Sequence, residues 1–562
     1  MDEESLSGLV EAPENEVCSR LKQFISKHAK TFTFPDMSRD SKERFFSALA
    51  ALLSGSHSNS CYALCLECIR IISRDKTDLD RLATDHILDL LLEHSAISCY
   101  ASEEVDGAKL ENADQSVMIE AQNGLCNIIY NSRKAQRYCS QSKCINGIVQ
   151  RLKTYKDPDV KWEIKFYDMK ILFLLTALCA DIRPKLRFEL HGLTYLIEVL
   201  DLCVREAEDL MKPLDDKDAD LCSEVLKVLF NLTLSVDKTK PNKLDTEEEA
   251  HFMRLVSVLH DLLLIDTVTA DKRIDLQSHT VNLLTNMPRD CYEELLTVAN
   301  EGISTATNNK DVEYDGKNME AVMILLEFLY IRVDCPSSSL IENLTPILHC
   351  LAEACRANRY IRKFCRMKVL PPLRSEVKAL PEEGSTLRNK LCRLLTSPIT
   401  EVKEFTADFL FVLCKESVAR MIKYTGYGNS AGLLARKGLL LEGSCSSNLA
   451  EYSSDSEESD TEEYAQLRDI TMLYCRVNPI TGRWETDPVN PLEGMSDEQK
   501  EYEAVQLANM MDKLCSGGVI QPCCIGADGK PQPIESVLQL TERFNQPPTH
   551  PHHHQQQQQD SD

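Results

Sequence analysis

The sequence predicts an all-α fold: an armadillo/HEAT-like right-handed helical solenoid, followed by a flexible acidic linker and a C-terminal helix. Three observations predict it. From Glu16 to about Leu440, apolar residues recur three and four apart, with Pro and Gly between these patterns and little of the alternation that marks strands. One short pattern repeats: an apolar residue, a variable one, Asn or a substitute, then another apolar residue. Beyond Leu440 the composition turns abruptly to Ser, Gly and acid, with little core-forming material.

The chain has 562 residues, too many for one hydrophobic core, which usually stops growing at about 250–300 residues. With 43% hydrophobic and 27% charged residues it can still bury enough apolar surface to fold. Stacked repeats reconcile these facts, because each repeat shares its core with its neighbours. The clearest copies of the pattern are Leu125-Cys126-Asn127-Ile128, Leu229-Phe230-Asn231-Leu232 and Leu284-Thr285-Asn286-Met287. Weaker copies are Leu66-Glu67-Cys68-Ile69, Leu175-Thr176-Ala177-Leu178 and Leu410-Phe411-Val412-Leu413. From Asn127 through Ala177 and Asn231 to Asn286 the step is roughly 50–55 residues, slightly longer than the 40–47 of helical armadillo and HEAT units. Gly147 and Gly192 each read as a turn before a second apolar helix, which completes a helix, turn, helix unit.

The domains expected are a helical repeat domain over 1–440, an acidic linker over 441–476, a C-terminal segment with a helix over 477–520, and a disordered tail over 521–562. The C-terminal helix is signalled by Ser496-Asp497-Glu498-Gln499, a capping box, ahead of Val505, Leu507, Met510, Met511 and Leu514, with Gly517 and Gly518 stopping it. The tail holds His552, His553 and His554 in low-complexity sequence, which offers a metal no fixed geometry.

A net charge of −25 argues against nucleic acid as the main partner, since phosphate binding needs clustered Lys and Arg. No basic and apolar leader opens the chain, and no apolar run reaches the roughly 18 residues of a membrane span. A cytoplasmic protein without an integral membrane segment is expected, with peripheral association at the cell cortex or plasma membrane. The 23 Cys sit in apolar helical settings and read as reduced thiols. Cys65 and Cys68 form a C-x-x-C, but with Cys61 they share one helix face and read as buried small hydrophobes. No Walker A, G-x-S-x-G, H-E-x-x-H or kinase signature occurs. Gly426-Tyr427-Gly428 departs from a dinucleotide-binding fingerprint and follows a helix where a strand is needed, so it reads as a turn between helices. Neither covalent catalysis nor a cofactor is expected; a long binding surface is.

Candidate binding residues follow from the repeats. Asn127, Asn231 and Asn286 occupy one repeat position, where an amide can hydrogen-bond a bound segment or brace a neighbouring helix; position alone favours neither. Arg70 with Arg74, and Arg359 with Lys363 beside Arg362, form basic clusters at helical spacing. His279 and Asn282 lie in HTVNLL.

Long stretches resemble the synembryn family, also called resistance to inhibitors of cholinesterase proteins. The strongest runs from Ala407 to Leu440, ADFLFVLCKESVARMIKYTGYGNSAGLLARKGLL; others are ILFLLTALCADIR, FELHGLTYL, EVLKVLFNLT, HTVNLLTNMP and VLPPLR. Val477 to Ala504, VNPITGRWETDPVNPLEGMSDEQKEYEA, is similar to the family's C-terminal region. The resemblance implies a chaperone for nascent G protein alpha subunits and a guanine-nucleotide exchange factor. Such a factor binds the GDP-bound or nucleotide-free alpha subunit without beta-gamma, holds the nucleotide-free state and is released by GTP. It also implies that the concave face grips the client's C-terminal helix, moving Asn127 and both basic clusters toward binding, with His279 and Asn282 on the same ground. The segment after the repeats would reach the client's nucleotide-binding domain. A monomer is expected. Ser454 and Ser459 each precede a Glu by three residues, the pattern recognised by casein kinase 2, and the family is phosphorylated in the corresponding acidic stretch. The rival is a general armadillo scaffold or transport adaptor for extended peptides. It predicts groove Trp residues beside the Asn ladder, whereas the two Trp, Trp162 and Trp484, lie outside the Asn-bearing copies.

Overall fold

The computed structural model describes residues 8–101, 114–234, 246–298, 312–439, 477–485, 494–517, 521, 523–525 and 531–533. The chain divides into two compact units: Met1–Ile331 with His349–Ile361, and Arg332–Leu348 with Arg362–Asp562.

The first unit is built from α1 (Glu14–His28), α2 (Arg39–Ser54), α3 (Asn59–Ile72), α4 (Asp85–His94), α5 (Gln115–Asn131), α6 (Arg133–Gln141), α7 (Cys144–Leu152), α8 (Trp162–Leu178), α9 (Gly192–Asp209), α10 (Asp216–Thr233), α11 (Thr246–Leu264), α12 (Ala270–Leu284) and α13 (Glu320–Arg332). Polar caps set several starts. Ser38, Ser58, Thr84, Asp114 and Ser132 each accept a backbone N–H from the first turn of the helix that follows, satisfying one of its orphan donors.

Two layers result. In one, α3, α5, α8, α10 and α12 each pack on the next; α9 and α11 pack together in the other, as do α2 and α4. The repeated pattern supplies the inner seam: Leu66, Ile69, Leu125, Ile128, Leu175, Leu229, Leu232 and Leu284 are all 0% exposed. Leu178 departs from it. It is the last residue of α8 and is 46% exposed, since the chain turns away at Cys179. One step of the sequence repeat is therefore one step of helix stacking, as a helical solenoid requires.

Gly147 corrects the expected boundary. The helix begins at Cys144, so Gly147 lies inside α7, where a Cβ would collide with the Ile97 backbone carbonyl. It is a close-packing glycine and not a turn; Gly192, by contrast, is the first residue of α9. A small antiparallel sheet, with Lys317–Asn318 between Thr297–Val298 and Glu313–Tyr314, was not foreseen, because two-residue strands are too short to show alternation.

Two buried polar assemblies tie the layers. Asp168 of α8 accepts from Arg151 Nε at 2.7 Å and from Arg151 Nη2, from Gln122 Nε2 at 2.7 Å and from Tyr155 Oη at 3.1 Å. Arg151 Nη1 donates to the Ser95 carbonyl at 2.7 Å, and the guanidinium lies 5.4 Å from the Tyr100 ring centroid. Nearer the N-terminus, Lys42 Nζ meets Asp75 Oδ2 at 2.8 Å, with both side chains under a tenth exposed. Asp75 also accepts from the Phe34 and Thr77 amides. Burial alone would raise its pKa; the Lys42 ammonium and these amides overcome burial and hold the carboxyl well below its usual range. A carboxylate depressed in the folded state stabilises the fold above its unfolded pKa of about 3.9, and that stabilisation is lost as pH falls through the folded value. Urea unfolding of Asp75→Asn should accordingly show a shallower loss of stability below about pH 4 than the parent chain. Parallel pH profiles would mean that Asp75 contributes nothing to acid lability.

The second unit contains α16 (Leu387–Leu394), α17 (Thr400–Leu413), α18 (Val418–Thr425), α19 (Tyr427–Lys437) and α20 (Asp497–Ser516), while α14 (Leu340–Ala357) and α15 (Arg359–Val369) fall across the division. Phe409, Phe411, Tyr424 and Leu434 form part of its core, each 2% exposed or less. Gly426, with φ 74°, is the expected turn between α18 and α19, while Tyr427 and Gly428 already open α19. It is also a docking point. The Tyr427 and Gly428 amides, orphan donors at the start of α19, donate to the Pro479 and Ile480 carbonyls at 2.8 Å each. Trp484 N donates to Val377 O at 2.7 Å, and Arg483 Nε to Lys378 O at 3.0 Å.

The docked segment has no room for a side chain at Gly482. Its φ is +70°, and a Cβ would stand 2.8 Å from Pro381 Cγ and 3.1 Å from Gly426 Cα. Gly482→Val should release residues 477–485, raising tryptic cleavage at Arg483 by about tenfold, equivalent to about 1.4 kcal/mol of local opening. Unchanged cleavage would show that the clash is absorbed elsewhere.

The capping box at Ser496 and Gln499 forms as expected, with Gly517 capping the end of α20. Tyr502, Val505, Leu507, Met510 and Met511 on this helix are all exposed, from 46% to 63%. Cys523–Ile525 pairs antiparallel with Pro531–Pro533. Gly518, Ser454, Ser459 and the His552–His554 run lie outside the described residues, as does the whole 441–476 linker stretch.

Candidate functional site on the inner helices

The stacked helices α3, α5, α8, α10 and α12 bury much of their surface in the seam, and among the residues they leave open one set on each helix falls at helical spacing. On α3 these are Glu67 and Arg70; on α5, Glu120, Asn123, Asn127 and Tyr130; on α8, Phe166, Lys170 and Phe173; on α10, Lys227 and Phe230; on α12, His279 and Asn282. Steps of three and four residues put each set on one helix face.

Side-chain contacts join the open faces of α3 and α5, and those of α8 and α10. Arg70 Nε donates to Glu120 Oε2 at 2.8 Å and Arg70 Nη2 to Glu67 Oε1 at 2.8 Å. Lys227 Nζ lies 5.6 Å from the Phe173 centroid and donates to Glu224 at 2.9 Å. Lys170 Nζ lies 5.1 Å from the Phe166 centroid, and Tyr130 is 61% exposed, with Lys76 Nζ 5.6 Å from its ring. Burial depresses the pKa of His279, and the Lys227 ammonium lowers it further, so its imidazole is neutral at physiological pH. The face combines half-open aromatic rings with cations held over them. It presents no nucleophile paired with a base; what it offers is apolar contact beside positive charge.

Each expected site residue has a definite place. Asn127 Nδ2 donates to Arg70 O at 3.1 Å, Asn231 Nδ2 to Thr176 Oγ1 at 3.0 Å, and Asn286 Nδ2 to Phe230 O at 3.2 Å and Thr233 Oγ1 at 3.1 Å. Every acceptor lies on the preceding inner helix. The bracing alternative thus describes the amide nitrogens, and a bound segment would have to use other atoms of these residues. Asn231 and Asn286 are 7% and 9% exposed, whereas Asn127 is more open. Arg74 corrects the expected pairing with Arg70. The helix ends at Ile72, and the Arg74 guanidinium turns away to the Ala29 carbonyl at 2.7 Å and lies 5.4 Å from the Phe32 ring centroid. Burial, with the nearby Arg70 charge adding to it, pulls its pKa below the usual arginine range.

On α15, Arg359 is exposed, while Arg362 and Lys363 are 6% and 9% exposed and engaged within the protein. Tyr130, Phe166, Lys170, Phe173, Lys227 and Phe230 did not emerge from the sequence as site residues. One signal was available: on α8, Phe166, Lys170 and Phe173 fall at four- and three-residue steps on a face other than that of Ile164, Ile171 and Leu175, leaving the helix apolar on more than one side.

A family profile described as guanine nucleotide exchange factor synembryn matches residues 65–530. This chain belongs to the synembryn family. Relatives of this synembryn named Chaperone Ric-8A align along nearly its whole length. That of Gallus gallus is 40% identical over 550 residues, 96% of this chain and 97% of its own. That of Danio rerio is 40% identical over 529 residues, 92% of each chain, and that of Mus musculus 38% over 513 residues, 91% of each. Among solved structures, an engineered protein aligns with a TM-score of 0.45 at 14% identity, covering 79% of this chain and 86% of its own. A structure concerning cadherin and beta-catenin aligns with a TM-score of 0.43 at 13% identity, covering 75% and 68%. The synembryn match runs from within α3 through α20, and takes in the inner face and the docked 477–485 segment.

Proposed function

We propose that this synembryn is a chaperone for nascent G protein alpha subunits and a guanine-nucleotide exchange factor that works without covalent chemistry. It takes the GDP-bound or nucleotide-free alpha subunit without beta-gamma, stabilises the nucleotide-free state and is released by GTP. The observation that carries the reading is the strip of half-open rings and cations along the inner face, in a chain matched to its family over residues 65–530. An amphipathic client helix lays its apolar side on Phe166, Phe173 and Phe230, and its acidic groups meet Lys170 and Lys227. Arg70, Asn127, His279 and Asn282 border the strip; Asn231 and Asn286 hold the helices that form it, and Arg74 steadies the chain beside it. The exposed Arg359 is a further basic contact, and Arg362 and Lys363 belong to the same sequence cluster. Withdrawing the client's terminal helix loosens its guanine site, and reciprocity of coupling makes GTP weaken the complex.

The domain scheme follows: repeats over 1–440, a linker over 441–476 phosphorylated by casein kinase 2 at Ser454 and Ser459, a client-contacting segment over 477–520 and a tail over 521–562. On α20 the exposed Tyr502, Val505, Leu507, Met510 and Met511 give that segment an apolar surface suited to a partner. The protein acts as a monomer in the cytoplasm and at the cell cortex. No described helix is long and apolar enough to cross a membrane.

The test is GDP release from a purified alpha subunit, with and without this chain, using a client truncated at its C-terminal helix as control. Acceleration abolished by the truncation supports the reading. Equal release with and without the chain, for every alpha-subunit class, would favour the general scaffold.

A further inference from the structure

Away from the inner face, where α1 meets α3, three metal-ligating side chains converge. Glu14 and Cys18 stand one helical turn apart on α1, and Cys61 lies in the first turn of α3; their ligand atoms are all within 4.8 Å of one another. The cluster is built. The Glu14 carboxylate accepts from the Ser58 hydroxyl and from the Ser58 amide at 3.3 Å, and its other oxygen lies 3.6 Å from His57 Nδ1. Cys61 is fully buried, while Cys18 and Glu14 are partly open. Cys65, one turn further along α3, lies against the Cys61 thiol.

We propose that Glu14, Cys18 and Cys61 form a binding site for a thiophilic divalent cation of the zinc type. Tetrahedral zinc, with Zn–S near 2.3 Å and Zn–O near 2.0–2.2 Å, spaces its donors by roughly 3.5–3.8 Å, so side-chain shifts of about 1 Å close the site. The two thiols and the carboxylate supply three ligands. A water takes the fourth position on the side where Cys18 and Glu14 are open. Binding displaces one proton from each thiol, so two protons leave per metal ion, and three anionic ligands around a dication leave a net charge of −1. Ser58 and His57 orient the carboxylate, as outer partners of metal ligands do. The ion would join the first helix to the inner layer, and the C-x-x-C at Cys65 and Cys68 would take no part as a pair.

The experiment uses the full chain, reduced and stripped of metal, titrated with Co²⁺ and with Zn²⁺ in weak buffer. Expected are one tight equivalent, thiolate-to-cobalt charge-transfer absorption, displacement of cobalt by zinc, and two protons released per ion. Cys18→Ser should remove the charge-transfer band or lower affinity by at least about tenfold, and Glu14→Gln should weaken binding by about tenfold without loss of fold. Cys61→Ser should act as Cys18→Ser does; if it fails to fold, the partly open Cys18 and Glu14 still decide the matter. Cys203→Ser, a thiol on α9, should change nothing. Metal uptake unaffected by Cys18→Ser and Glu14→Gln, or no thiolate band in the parent chain, would overturn the proposal. So would a reduced chain that takes up no metal and on oxidation forms a Cys18–Cys61 disulfide.

Discussion

Asp168→Ala is expected to lower the stability of the first unit by about 3–5 kcal/mol, the usual cost of leaving a buried charge without its partner. Arg151 is 1% exposed and meets Asp168 through two nitrogens, so deleting the carboxylate strands a guanidinium that water does not reach. Gln122 and Tyr155 lose the same acceptor. The helices concerned are α5, α7 and α8, and the damage should spread through the stack because these helices share a seam. Urea unfolding followed by circular dichroism would measure it. Replacing both partners, Arg151→Met with Asp168→Leu, should be far milder, since no charge is then left unpaired. Equal losses in the single and double variants would mean that packing, not charge pairing, sets the cost.

Reversing charge on the inner face should act chiefly on binding. Lys170→Glu with Lys227→Glu is expected to reduce affinity for a client C-terminal helix by about 30–150-fold, roughly 2–3 kcal/mol, because two attractive contacts become repulsive. Lys170 is partly open, so Lys170→Glu alone should leave circular dichroism and the unfolding midpoint near those of the parent chain, whereas Lys227→Glu also takes the cation from the buried Glu224 carboxylate and should lower the midpoint. Phe173→Ala should lower affinity by about tenfold through lost apolar contact, with little dependence on salt, whereas the lysine effect should shrink as ionic strength rises. Fluorescence anisotropy of a labelled client-helix peptide reads all three. Unchanged affinity in the lysine variant, with a truncated client still failing to bind, would move the site off this face.

Much of the helical layer was legible because each part of the signal is local. The pattern around Asn127, Asn231 and Asn286 located the stacked helices, and the Ser496 capping box located α20, since caps and apolar faces act within a few residues. The site was less legible. Arg70 and Arg74 share helical spacing in the sequence, yet the helix stops between them and their side chains diverge, a boundary that spacing cannot show. Asn231 was open to two readings because its partner, Thr176, lies 55 residues away. Nothing along the chain links Phe173 to Lys227, and adjacency of α8 and α10 is what brings ring and cation together.

By itself the sequence determined the all-helical class, the period of the stack, the start of α20 and the family, because periodicity, capping and extended similarity are carried along the chain. Tertiary structure decided which amides brace, which cations lie on open faces, that Gly147 is a packing contact, that residues 477–485 cap α19, and that Glu14 and Cys18 meet Cys61. The physical reason is distance. Each of these pairings joins residues from different helices or segments, and their geometry follows from how buried faces pack, which local pattern constrains without specifying.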